Sequence, residues 1–234
     1  MIRTLLTDTG SVLSIQVLGN KKPVNMVVFG SGAQAESHIR AFVSAYPSIK
    51  SVIVVARRST PRSEALVKEL SAALAGVEVS QGVASYSAGT SDNFDLSAAV
   101  GAADLICTMT SSTEALFASK DVKPGAHLCL IGSYKLHMRE VEDELVKRAG
   151  VVMVDSREAC GHEAGELVGL GEDQLVEIGE IVNEQPGALD KVAASGDVTL
   201  FKSVGLGVQD VAIASVVLDE AERLGLGSVV PNYD

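Results

Sequence analysis

Apolar residues along this chain fall in short unbroken runs, separated by stretches with helical period. The runs "VNMVVFG" (24–30), "SVIVVAR" (51–57), "DLICTM" (104–109), "HLCLIG" (127–132) and "VVMVDS" (151–156) are continuous and rich in β-branched residues. Continuous rather than alternating runs suit strands covered on both faces of a parallel sheet. Between them, helices are predicted over Gln34–Ala45, Arg62–Leu74, Leu96–Ala99 and Val141–Arg148. Strand and helix in repeated alternation predict an α/β fold, a Rossmann-like doubly wound parallel sheet. The polar stretches 86–95 and 184–197 read as exposed loops, the second as a hinge.

The first strand runs into Gly30-Ser31-Gly32-Ala33-Gln34-Ala35 and then a helix. This is G-x-G-x-x-A between a strand and a helix, the context in which the pattern signals a dinucleotide. Gly30 permits a tight turn, Gly32 lets backbone N–H groups approach a pyrophosphate, and Ala35 lets helix and strand pack closely. At the end of the second strand, an NAD-specific site would carry an acid for the ribose 2′-hydroxyl. This chain instead has Arg57-Arg58-Ser59-Thr60-Pro61-Arg62, with no acid and three arginines. Charge-assisted bonds to a 2′-phosphate favour NADPH over NAD. The alternative is a solvated basic helix start.

Composition excludes several other classes. At 234 residues, 47% hydrophobic and 21% charged, the chain can bury a sizeable core. A formal charge of −11 argues against nucleic acid or an anionic membrane as partner. No apolar run is long enough to span a bilayer and the N-terminus lacks the apolar core of a signal peptide, so a cytoplasmic protein is expected. Cys107, Cys129 and Cys160 are widely spaced and read as reduced core thiols, with no metal site expected.

In order along the chain, "VVFGSGAQAESHIRAF", "AADLICTMTSSTEALF", "VKPGAHLCLIGSYKLHMREV", "VVMVDSREAC" with "EAGEL", and "TLFKSVGLGVQDVAIASVVLDEA" resemble the ornithine cyclodeaminase/μ-crystallin family. The resemblance implies an NAD(P)-dependent protein with a Rossmann-like domain joined to a substrate and dimerisation domain, and a homodimer. In the family that second domain is built mostly from a long segment preceding the glycine loop. Here fewer than 30 residues stand before Gly30, so the expected division is a remnant helix of that domain (1–23), the dinucleotide domain (24–198) and a C-terminal helix packing back on the remnant (199–234). "DTGS" (8–11), where the family has an Ala-rich helix, lowers helix propensity at that point.

The resemblance also implies roles for single residues. Arg3 matches a family arginine that binds the substrate carboxylate; the other reading is a terminal surface residue. Tyr134 falls where deaminating members place an aspartate that acts on the substrate amine. A phenol with pKa near 10 is a poor base for an amine but can donate a proton, as can Lys135 or His137. Thr108, Thr110 and Ser111 resemble the segment beside the nucleotide ribose, Ser203 the position near the nicotinamide, and Ser133 joins the cofactor-binding set. Hydroxyls at strand ends also cap helices. His162, Glu163 and Glu166 read as structural, and Asp155-Ser156 as a strand end and helix cap.

These expectations converge on an NADPH-dependent reductase of small cyclic imino acids such as Δ1-pyrroline-2-carboxylate or Δ1-piperideine-2-carboxylate. Two alternatives stay open: ornithine cyclodeaminase, and a non-catalytic NADPH-binding protein without a substrate domain.

Overall fold

The computed structural model describes residues 2–19, 22–85, 89–90, 94–228 and 230; side chains of 2–6, 85, 89 and 90 lie outside the description. Among the described residues nine strands form one sheet: β1 (Asn25–Phe29), β2 (Ser51–Ala56), β3 (Glu78–Ser85), β4 (Gly89–Thr90), β5 (Leu105–Thr108), β6 (His127–Leu130), β7 (Val152–Val154), β8 (Leu175–Glu177) and β9 (Thr199–Lys202). Their order is β4-β3-β2-β1-β5-β6-β9-β7-β8. Every ladder is parallel except β3–β4, so the doubly wound sheet expected from the apolar runs is present, with one antiparallel edge pair. The chain order reverses between β1 and β5, the point at which such sheets bind ligands beyond their strand ends.

Helices α1 (Ile2–Gln16), α2 (Ala33–Ala45), α3 (Pro61–Ala73), α4 (Leu96–Ala102), α5 (Asp143–Ala149), α6 (Arg157–Glu163), α7 (Ile178–Val182), α8 (Ala188–Ala193) and α9 (Gly207–Arg223) complete the fold. Two apolar clusters cover the sheet: Val27, Ile106, Leu128, Leu145 and Val152 on one face, Val28, Ile39, Phe42, Leu105 and Phe201 on the other. Strands apolar on both faces thus account for their unbroken runs.

Four features depart from the sequence reading. The segment expected as a hinge loop holds α8, anchored by buried Ala188 and Val192. The segment 199–234 opens with β9, which lies within the sheet between β6 and β7. Strands β3 and β8 were not among the expected five. Helix α1 runs through "DTGS", because Ser11 and Ser14 face inward and are hydrogen-bonded there. Helix α9 contacts α1. Part of the loop expected at 86–95 falls outside the described residues. Among the described residues no helix is long and apolar enough to cross a membrane.

Candidate functional site

The site begins where β1 ends. Gly30 has φ +111°, and a Cβ there would stand 2.8 Å from the Met109 carbonyl oxygen, so the turn requires glycine. Gly32 caps α2 without a side-chain partner, which leaves the first N–H groups of α2 to a ligand or solvent. Ala33 opens the helix and Ala35, fully buried, brings it against the sheet. The Gln34 amide donates to Thr7 Oγ1 (3.2 Å), while its Oε1 is buried with no partner among the described residues.

The basic cluster flanks this turn. Arg57, Arg58 and Arg62 are exposed, and none makes an ion pair among the described residues. Arg62 Nη2 lies 3.8 Å from where a Gly32 Cβ would be, so its guanidinium reaches the glycine turn. A cation in the first turn of α3 stands at the wrong end of the helix dipole, so helix stability does not explain it. Ser59 Oγ donates to Glu64 (2.7 Å).

Two clefts meet over the strand ends. One, about 290 Å³, is lined by Gly30, Ser31, Arg57, Arg58, Thr110 and Ser111 among others. The second, about 730 Å³, shares Thr110 and Ser111 and includes Gln34, Tyr134, Ser203 and Glu163. It also takes in Thr7 and Asp210, which the sequence did not single out. Among its described lining residues the charged groups are Glu163 and Asp210, both acidic. Tyr134 is half exposed, with Lys135 Nζ 5.6 Å from its ring centroid; neither Lys135 nor His137 lines the cleft. Ser203 Oγ donates to Asp155 (2.8 Å). Thr108 and Ser133, expected beside the cofactor, are buried beneath the loops; their hydroxyls go to Glu140 (2.8 Å) and the Met138 carbonyl (3.0 Å). Arg3 belongs to the first turn of α1, but its side chain lies outside the described residues.

The loops owe their shape to buried polar groups. Glu140 Oε1 accepts from the Thr110 N–H (2.7 Å) and hydroxyl (2.8 Å), and Oε2 from Thr108 (2.8 Å) and the Gly132 N–H (2.7 Å). Burial pushes the Glu140 carboxyl up, against the nearby charge of Lys202 and these donors. Helix α1 is tied to the sheet and α2 in the same manner. His38 Nδ1 donates to the Gln34 carbonyl (2.9 Å), leaving Nε2 to the Ser11 hydroxyl (3.0 Å), and burial lowers its pKa to about 4. Asp8 accepts from Ser37, and burial raises its carboxyl. Ser156 caps α6, accepting from the Ala159 N–H (3.2 Å).

Known proteins resemble this chain in sequence and fold. Residues 1–224 match the ornithine cyclodeaminase/mu-crystallin family. Ketimine reductase mu-crystallin of Rattus norvegicus is 35% identical over 214 residues, covering 90% of this chain and 60% of the rat protein. Delta(1)-pyrroline-2-carboxylate reductase of Paracoccus denitrificans is 32% identical over 224 residues, covering 93% of this chain and 65% of that protein. The chain thus spans less than two thirds of these relatives' length. The crystal structure of a probable ornithine cyclodeaminase from Bordetella pertussis superposes with a TM-score of 0.77 at 26% identity, over 96% of this chain and 68% of that one. A Thermococcus litoralis Delta(1)-pyrroline-2-carboxylate reductase with NADH and L-proline shares the fold, with a TM-score of 0.81 at 22% identity over 98% and 68% of the two chains. On the strength of the family match and these relatives, the chain belongs to the ornithine cyclodeaminase/mu-crystallin family.

Proposed function

We propose that this protein is a nicotinamide-dependent reductase of small cyclic imino acids, with NADPH preferred. The observation that carries the reading is the meeting of two clefts at Thr110 and Ser111, one over the glycine turn and its arginines, the other beside Tyr134. The residues present fit the cofactor: Gly30 and Gly32 leave room for close backbone approach, and arginines that make no ion pair among the described residues stand beside them. Gly30, Ser31, Gly32 and the first turn of α2 would hold the pyrophosphate, and Arg57 and Arg58 the 2′-phosphate. When bound, the reduced nicotinamide supplies a hydride equivalent to a C=N carbon.

The chain's own part is orientation and proton handling. Thr110 and Ser111, common to both clefts, mark where cofactor and substrate meet. The Tyr134 hydroxyl passes its proton to the imine nitrogen and is reprotonated from solvent, and the acidic lining of Glu163 and Asp210 favours the resulting cationic iminium over the neutral imine. The substrate carboxylate needs a cation, and Arg3 lies one helical turn before Thr7 of α1, itself a lining residue. Related proteins named as Delta(1)-pyrroline-2-carboxylate and ketimine reductases support the substrate class. Formation of proline from Δ1-pyrroline-2-carboxylate at the expense of NADPH tests the reading; unchanged imino acid would refute it.

A second reading, a dinucleotide-binding protein without turnover, draws on the absence of a basic residue among the described lining of the larger cleft. In that case the protein binds NADPH but reduces none of the imino acids.

A further inference from the structure

Beneath the junction of the two clefts lies a buried charge cluster. Lys202, at the end of β9, is 0% exposed, and its Nζ stands 3.7 Å from Glu166 Oε2. Neither atom has a hydrogen-bond partner among the described residues. Glu166 Oε1 accepts from the Glu140 backbone N–H (2.9 Å), which links the acid beside the ammonium to the backbone of Glu140. The other polar groups facing the cluster are Asp155, at the end of β7, and the Cys160 thiol, which donates to Asp155 (3.2 Å) and is pushed up chiefly by burial.

The four donors on Glu140 make its charge state matter. Each carboxylate oxygen receives one hydroxyl and one backbone N–H, from Thr110 on Oε1 and from Thr108 and Gly132 on Oε2. A hydroxyl can rotate to become an acceptor; a backbone N–H cannot. A proton on either oxygen would turn a threonine hydroxyl round and leave that oxygen a weaker acceptor for its backbone N–H. The backbone allows little retreat, since a Cβ on Gly132 would fall within 2.4 Å of Glu140 Oε1. Burial works against the ionised carboxylate, while its donors and the positive charge of Lys202, held beside Glu166, favour it.

We propose that Lys202 and Glu140 are a positioning pair. The buried ammonium keeps Glu140 ionised, and ionised Glu140 binds the loops after β5 and β6 into the shared floor of the cofactor and substrate clefts. This rests on the reading of those clefts as a reductase site. Neither residue touches substrate or cofactor; both act through Thr110 and Gly132, which line the larger cleft.

The test uses the full chain, with cofactor dissociation constants measured by fluorescence titration with NADPH across pH 6–9 and imino acid turnover measured in parallel. Lys202→Met should weaken NADPH binding about tenfold or more near neutrality, as expected for loss of charge-assisted contacts. Affinity should recover as alkali removes the proton from Glu140. The double variant Lys202→Met/Glu140→Gln, lacking the titrating group, should bind weakly at every pH. A Lys202→Met defect with no pH dependence would overturn the proposal, because loss of packing alone does not titrate. If Lys202→Met does not fold, judged by far-UV circular dichroism, Glu140→Gln decides: folded with unchanged affinity it overturns the pair, and about tenfold weaker binding supports it. A wild type that binds NADPH but turns over no imino acid would refute the reductase reading, and the titrations would still judge the pair.

Discussion

Gly30 and Met109 come so close that any side chain at position 30 would meet the Met109 carbonyl oxygen at 2.8 Å, and Gly30 holds a φ of +111° that L side chains rarely adopt. This contact joins the end of β1 to the loop after β5 and fixes the turn over which the smaller cleft opens. Gly30→Ala should shift that turn at a cost on the order of 1–3 kcal/mol. Lower thermal stability and at least about tenfold weaker NADPH binding are expected. Unchanged affinity by titration would show that the turn does not hold the dinucleotide.

Cofactor choice should follow the arginines. With no acid at the end of β2 and three guanidiniums nearby that make no ion pair among the described residues, NADPH should bind more tightly than NADH by roughly 1.5–3 kcal/mol, or about 10- to 150-fold. The double variant Arg57→Ala/Arg58→Ala should bring the two constants together. Equal constants in the wild type would count against this assignment.

Acid stability should depend on His38. Burial holds its folded pKa at about 4, below the usual 6.5, so the unfolded chain takes up a proton that the folded one refuses. The contribution of His38 to stability is therefore complete above pH 6.5 and is lost as pH falls toward 4, a change of about 3 kcal/mol. Asp8, whose folded pKa is raised, acts in the opposite sense. Comparing the pH dependence of urea unfolding in wild type and His38→Gln isolates the histidine. A difference that stayed constant from pH 7 to 4 would contradict this account.

The glycine turn and the parallel sheet were legible because each is a local signal with a local cause: a turn that needs glycine, an apolar run. Strand β9 was not, because "TLFK" ends in a lysine, and a fully buried lysine is intelligible only with Glu166 beside it. Strand β3 was missed because its polar residues interrupt any apolar run. Helix α1 was read as weakened by "DTGS", yet its serines meet His38 and His127 across the fold. The role of Glu140 was hidden for the same reason, since Thr108 and Glu140 are 32 residues apart and meet only in the folded sheet.

Helix α9 presents Val208, Val211, Val216 and Leu218 to solvent, and contiguous apolar faces of this kind seldom persist on monomers. A homodimer or higher oligomer is expected by light scattering at micromolar concentration. Val211→Asp combined with Leu218→Asp should shift it toward the monomer. A monodisperse wild-type monomer would refute the expectation.

Imino acid reduction by this protein is decided by one substrate panel with a common readout. Purified protein is given NADPH with Δ1-pyrroline-2-carboxylate or Δ1-piperideine-2-carboxylate, and separately ornithine with NAD(P)⁺, and the products are identified. NADPH oxidation with either cyclic imino acid and no proline from ornithine are expected, because a phenol such as Tyr134 is a poor base for an amine. Arg3→Ala should lower kcat/KM by more than about tenfold through the lost carboxylate contact. Proline from ornithine, or NADPH binding without reduction of either imino acid, would contradict these expectations.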